Sequence, residues 1–149
     1  MDLAMALPSA GYSSRPLQAK LGLKPGMRAA FVALPDQLSQ ISSSVDFESL
    51  EIAGRWAELS TDQGRYDVIH AFTTRRAEIE DHLSSLQDAI KRDGMIWVSW
   101  PKKASKMLTD VTEDVVRAEA LKLDLVDVKV AAIDETWSGL KLVIRKDRR

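Results

Sequence analysis

The 149-residue chain contains no cysteine. That excludes structural disulfides, thiolate nucleophiles and cysteine zinc sites together. Histidine is nearly as scarce. His70 and His82 are too few and too far apart to suggest a metal cluster, so no metal is expected. No apolar run approaches the roughly 18 residues of a membrane span, so no membrane is expected as a partner. The N-terminus lacks a basic segment followed by an apolar one, and a cytoplasmic location is the expectation. Excess charge is also missing, with 21 Lys and Arg against 22 Asp and Glu for a net −1. The field of the whole molecule therefore favours neither nucleic acid nor an anionic membrane. No repeat, low-complexity tract or linker divides the chain. Residues 1–149 read as one domain, long enough to bury a core.

What is present is an alternation of apolar runs and amphipathic stretches. Residues 1–12 have little periodicity and read as a flexible or surface-draped arm. Ser14 and Pro16 can open a short helix over Arg15–Leu21, which Gly22 ends. Met27–Leu34 is a continuous apolar run, as expected of a strand buried on both faces in a parallel sheet. Pro35 stops it. Asp36–Ser43 reads as a weak helix and Leu50–Leu59 as a strand. Tyr66–Phe72 is a second buried strand. Thr73 or Thr74 then caps a helix with Ile79, Leu83, Leu86 and Ile90 on one face, Lys91 and Arg92 in its last turn, and Gly94 as terminator. Met95–Trp100 is a strand closed by Pro101. Asp110-x-x-Glu113 resembles a capping box for a helix to about Leu123, with Val111, Val115, Ala118 and Leu121 inward. Val126–Ile133 and Leu140–Arg145 form an antiparallel hairpin. The expected fold is α/β: a three-layer, mainly parallel Rossmann-like sheet ending in that hairpin.

Leu23-Lys-Pro-Gly-Met-Arg28, Arg65-Tyr-Asp-Val-Ile69 and the passage Leu86 to Ile96 with Arg92-Asp-Gly94 resemble the strand lead-ins of the Rossmann-like methyltransferase fold. That resemblance implies a glycine-rich turn after the first strand, where the backbone approaches the cofactor. This sequence has Ala33-Leu-Pro-Asp-Gln-Leu38 there instead, and Pro35 also lacks an amide donor. No cofactor is therefore expected. Glu58 lies near the spacing at which an acid meets a ribose, about 20 residues on. Gly11-Tyr-Ser-Ser-Arg-Pro-Leu17, Lys20-Leu-Gly-Leu-Lys-Pro-Gly26, Trp97-Val-Ser-Trp-Pro-Lys-Lys103 and Asp134-Glu-Thr-Trp-Ser-Gly-Leu-Lys141 resemble a bacterial family of small proteins of unknown function. That second resemblance implies a fold and no activity.

Ligands of open parallel sheets bind beyond the carboxyl ends of the strands. The residues expected there are Asp36, Arg75, Trp100, Lys102, Lys103, Asp134, Glu135 and Trp137. Trp100 and Trp137 would be walls, and the charges would orient a small anionic or nucleotide-like ligand. A protein partner or homodimer contact at the same edge is the other occupant considered. No catalytic residue is assigned, because Asp134 and Glu135 should point to opposite faces. His70 reads as a hydrogen-bonded core residue, and Trp56 and Trp97 as core. The leading expectation is a non-catalytic or regulatory domain with a degenerate methyltransferase-like fold. The alternatives are an S-adenosylmethionine-dependent methyltransferase with a non-standard cofactor loop, and a nucleic-acid accessory protein using Lys102, Lys103 and Lys106. Net charge disfavours the last.

Overall fold

The computed structural model describes residues 15–60 and 62–149. The arm expected at 1–12 and the Ser14 cap lie outside them. Six strands form one sheet: β1 (Arg28–Val32), β2 (Ser49–Ala53), β3 (Tyr66–Phe72), β4 (Ile90–Pro101), β5 (Leu125–Ala132) and β6 (Trp137–Ile144). Their order is β2-β1-β3-β4-β6-β5. Strands β1 to β4 pair in parallel, while β6 runs antiparallel to both β4 and β5. The expected mainly parallel sheet with a terminal hairpin is what the chain forms. The central strands are apolar on both faces because both faces are covered.

The two faces are covered unequally. Helices α2 (Arg76–Ala89) and α3 (Glu113–Leu121) pack on one, over Ala30, Ile69, Ile96, Val98 and Trp100. The other face carries Phe31, Val68, Phe72, Trp97 and Trp137. Over it lie α1 (Leu17–Lys20), through the Leu21 and Leu23 that follow it, and a 3-10 helix, Asp36–Ser43, through Leu38 and Ile41. The Trp97 indole N–H donates to Leu21 O at 3.0 Å, which fixes the end of α1 on the sheet. Both sheet edges keep apolar side chains in solvent: Leu50 and Ile52 on β2, Val128 and Val130 on β5.

Several local expectations need correction. The second strand is Ser49–Ala53, and Trp56–Glu58 is a 3-10 turn rather than its continuation. Helix α2 ends at Ala89, so Lys91 and Arg92 belong to β4 and Gly94 terminates nothing. Gly94 instead allows close approach: a Cβ there would lie 3.0 Å from both Asp67 O and Lys91 O. Neither Thr73 nor Thr74 caps α2. Its N-cap residue, Arg75, supplies no side-chain acceptor, and the Arg76 N–H donates to Asp110 at 2.7 Å. Asp110 therefore caps a distant helix, and Thr112 caps α3 by accepting from Val115 N–H. The buried face of α3 is Val116, Glu119 and Ala120, with Ala118 and Leu121 outward.

Candidate functional site

The strand order reverses at β1: the chain steps outward from β1 to β2, then returns to the far side of β1 for β3. The crevice at such a switch point, beyond the carboxyl ends, is where open α/β sheets take ligands. At the end of β1, Ala33 adopts a left-handed conformation with φ 55°. Its N–H donates to Ala53 O at 2.8 Å, tying the ends of β1 and β2 together. Left-handed backbone is cheap for glycine and strained for alanine. Ala33 thus holds a conformation that a glycine would adopt without strain. Pro35 follows in extended conformation and Asp36, exposed, begins the 3-10 helix.

Gly54 follows β2, and a Cβ on it would meet Glu58 Oε1 at 3.3 Å. The Glu58 carboxylate therefore lies against bare backbone just past the end of β2. Arg55 holds it there at 3.2 Å. The Trp56 indole N–H donates to Phe72 O at 2.9 Å and anchors this turn to the end of β3. Beyond β3, Thr73 is buried. Its hydroxyl donates to Glu78 at 2.6 Å and accepts from Arg75 N–H at 3.0 Å. Arg75 itself is exposed, with its guanidinium 4.0 Å from Glu78.

The loops after β4 and β5 do meet, as expected. Lys102 N–H donates to Thr136 O at 2.7 Å, and Lys102 Nζ donates to Asp134 O at 2.6 Å. The Asp134 carboxylate is turned inward, accepting the N–H groups of Thr136 and Trp137 at 2.8 and 2.7 Å. Glu135 and Lys103 are exposed. The two tryptophans, however, do not face each other. Trp100 packs with the α2–α3 side, whereas Trp137 packs on the opposite face against Phe72, ring centroids 5.3 Å apart. The pairing of Trp100 with Ser138 and of Pro101 with Trp137 makes this unavoidable, because side chains alternate along β4 and β6. The expected pocket between two aromatic walls does not form. A groove of about 520 Å³ lies on the Trp100 side alone, lined by Trp100, Lys102, Lys103, Met107 and Glu113 among others.

Within the core, His70 Nε2 lies 2.7 Å from Ser99 Oγ, and the ring stacks on Phe72 at 4.2 Å. Burial drives its pKa down to about 3, so the imidazole is neutral. This is the core histidine that the sequence suggests, with Ser99 as the partner that the sequence does not show. Among the described residues no group of three His, Asp or Glu side chains is placed to hold a metal ion. No described helix is long and apolar enough to cross a membrane.

No protein-family model matches the chain, and no curated protein is similar to it in sequence. Solved structures are similar in fold. A S-adenosylmethionine-dependent methyltransferase from Aquifex aeolicus matches with TM-score 0.64 at 14% identity, over 87% of this chain and 88% of that one. Magnesium protoporphyrin IX methyltransferase from Synechocystis, solved with bound S-adenosylmethionine, matches at 0.61 and 14% identity, over 87% and 74%. The 1,6-didemethyltoxoflavin-N1-methyltransferase from Burkholderia thailandensis, solved with bound 1,6-didemethyltoxoflavin and S-adenosylhomocysteine, matches at 0.57 and 11% identity, over 87% and 75%. The chain therefore has the Rossmann-like methyltransferase fold. These neighbours overturn the leading expectation of a non-catalytic, regulatory domain, since they favour the methyltransferase alternative.

The residues at the switch point fit the ribose end of such a cofactor. The left-handed Ala33 turns the chain at the end of β1, and a carboxylate stands over Gly54. Sequence spacing allowed Glu58 a ribose contact but favoured a solvated surface residue. The left-handed Ala33 carried no sequence signal, because alanine is not a residue that favours that conformation.

Proposed function

We propose that this protein is an S-adenosylmethionine-dependent methyltransferase whose cofactor loop replaces glycine with a strained alanine. The carrying observation is the left-handed Ala33 at the switch point of a methyltransferase sheet, beside the Glu58 carboxylate on Gly54. The cofactor, when bound, supplies an electrophilic methyl group. Glu58 would accept hydrogen bonds from the ribose hydroxyls, and Arg55 holds its carboxylate in place. The Ala33–Leu34 backbone would flank the bound cofactor, and Trp56 fixes the turn after β2 on the end of β3. The groove beside Trp100 takes the methyl acceptor, with Lys102 and Lys103 on its rim orienting an anionic group. Asp36, Arg75, Asp134, Glu135 and Trp137 frame this edge; of these, Asp134 shapes the loop through its two backbone bonds.

Calorimetry with S-adenosylmethionine and S-adenosylhomocysteine tests this reading. Binding of both is expected, with Glu58→Ala weakening it about tenfold or more, the loss of a charge-assisted hydrogen bond. Absence of binding at millimolar ligand overturns it.

A further inference from the structure

Many cations of this chain meet a carboxylate, as Arg28, Arg55, Arg76 and Arg117 do. On one face, cations instead stand against one another. Lys129 and Lys141 stand directly opposite each other across β5 and β6. Like charges in that position destabilise an antiparallel pair. Lys129 Nζ donates to Lys20 O at 3.0 Å, and Lys20 Nζ donates to Ala132 O at 2.9 Å. These ammonium groups are thus held by carbonyls, which leave their charge in place. Among the described residues the lysine ion pairs are Lys91 with Asp67 and Lys122 with Glu119. Lys20, Lys24, Lys129 and Lys141 form none.

The crowding shows in their titration. Lys20 is held below the ordinary lysine range by burial, then by Lys129, Lys102 and Arg15. Lys141 is held below it by burial, then by Lys129 and Lys24. The row accordingly runs from Lys24 through Lys141 and Lys129 to Lys20, and reaches the carboxyl edge at Lys102. Asp67 and Asp93 share the crevice at the Lys24 end, but Asp67 already receives Lys91 and the Arg28 N–H.

We propose that this lysine row docks the phosphate backbone of a nucleic acid duplex. A duplex supplies anions in a row, and neutralising them removes the repulsion between Lys129 and Lys141. The tryptophans on this face, Trp97 and Trp137, are buried, so no exposed indole offers a platform for unpaired bases. Val130 points to the other face, with Leu140, and Met27 and Val143 beside the row are half-buried, so the row offers little apolar surface for lipid insertion. Net charge alone hides this surface, because 22 acids balance 21 cations over the whole chain. The proposal does not depend on methyl transfer.

The test is fluorescence anisotropy with labelled duplex RNA and duplex DNA of arbitrary sequence, each in a salt series. With four phosphates neutralised, log K falls against log salt with a slope of about −3.6. Lys141→Glu places opposite charges across β5 and β6, so its melting temperature stays equal or rises. Its affinity for duplex falls about tenfold or more. Lys24→Glu, in an exposed turn, is a second variant expected to weaken binding and flatten the slope. Lys146→Glu, outside the row, leaves binding unchanged. No binding of either duplex at about 50 mM salt overturns the proposal. So does binding that Lys141→Glu and Lys24→Glu leave intact, or binding confined to single strands or to phosphatidylserine vesicles. Calorimetry of Lys141→Glu with S-adenosylmethionine separates failure of this surface from failure of the cofactor reading.

Discussion

At neutral pH the imidazole of His70 carries no charge, and folding depends on its staying so. Its pKa is about 3 in the folded chain against the ordinary 6.5, because burial penalises the charged form. Between those values the unfolded chain binds the extra proton. Stability is therefore full above about pH 6.5 and falls as pH drops toward 3, by about 1.4 kcal/mol per unit. Urea midpoints should be level from pH 8 to pH 7 and decline below pH 6. In His70→Phe that decline should shrink. A wild-type midpoint unchanged down to pH 4.5 contradicts a neutral buried ring. Ala33 makes the second prediction at this scale. Ala33→Gly relieves left-handed strain and should raise stability by about 0.5–1 kcal/mol, while Ala33→Val should lower it by about 1–3 kcal/mol. Denaturant titration of both variants checks this. The burial of His70 was legible from its apolar strand. Its serine was not, because the register of β3 on β4 that brings Ser99 close is set by the whole sheet.

The helices show where local rules gave way to contacts distant in sequence. The apolar periodicity of Ile79, Leu83 and Leu86 located α2 and its buried face. Its start was misread because the acceptor for its first N–H comes from Asp110, 34 residues away. Arg76 then reaches Glu119 on α3 at 3.0 Å, so one residue joins both helices. Burial pushes the Glu119 carboxyl upward, but Lys122 and Arg76 outweigh that and hold it below the ordinary range. A glutamate on a buried helix face is what made the inward side of α3 hard to read. Asp110→Ala should cost about 1 kcal/mol, as loss of an N-cap does. The melting temperature should fall by about 2–4 °C. Asp110→Asn, which keeps an acceptor, should recover most of it.

At the scale of the molecule, sheet order and hairpin followed from the alternation of apolar runs and short links. The candidate site did not follow as completely. The loops after β4 and β5 were correctly brought together, yet Trp100 and Trp137 were placed on one side of a sheet that separates them. Register decides faces, and a shift of one residue reverses them. The same limit hid the lysine row: Lys129 and Lys141 are far apart on paper and become neighbours only once β5 and β6 are paired. Ligand linkage supplies a whole-molecule check on the proposed activity. At one hundred times its dissociation constant, S-adenosylmethionine should stabilise the fold by about 2.7 kcal/mol.

The two edges of the sheet differ in how they meet another molecule of the same kind. Strand β5 is interrupted by a register shift between Asp127 and Lys129 and carries a lysine, both of which discourage strand addition. Strand β2 is regular, with Leu50 and Ile52 in solvent and no lysine or proline. In concentrated solution, intermolecular sheet growth should therefore begin at β2, and Ile52→Lys should delay the rise in light scattering while the matching change at Val130 should not. Shelf life, on this view, is governed by one five-residue strand at the margin of the fold.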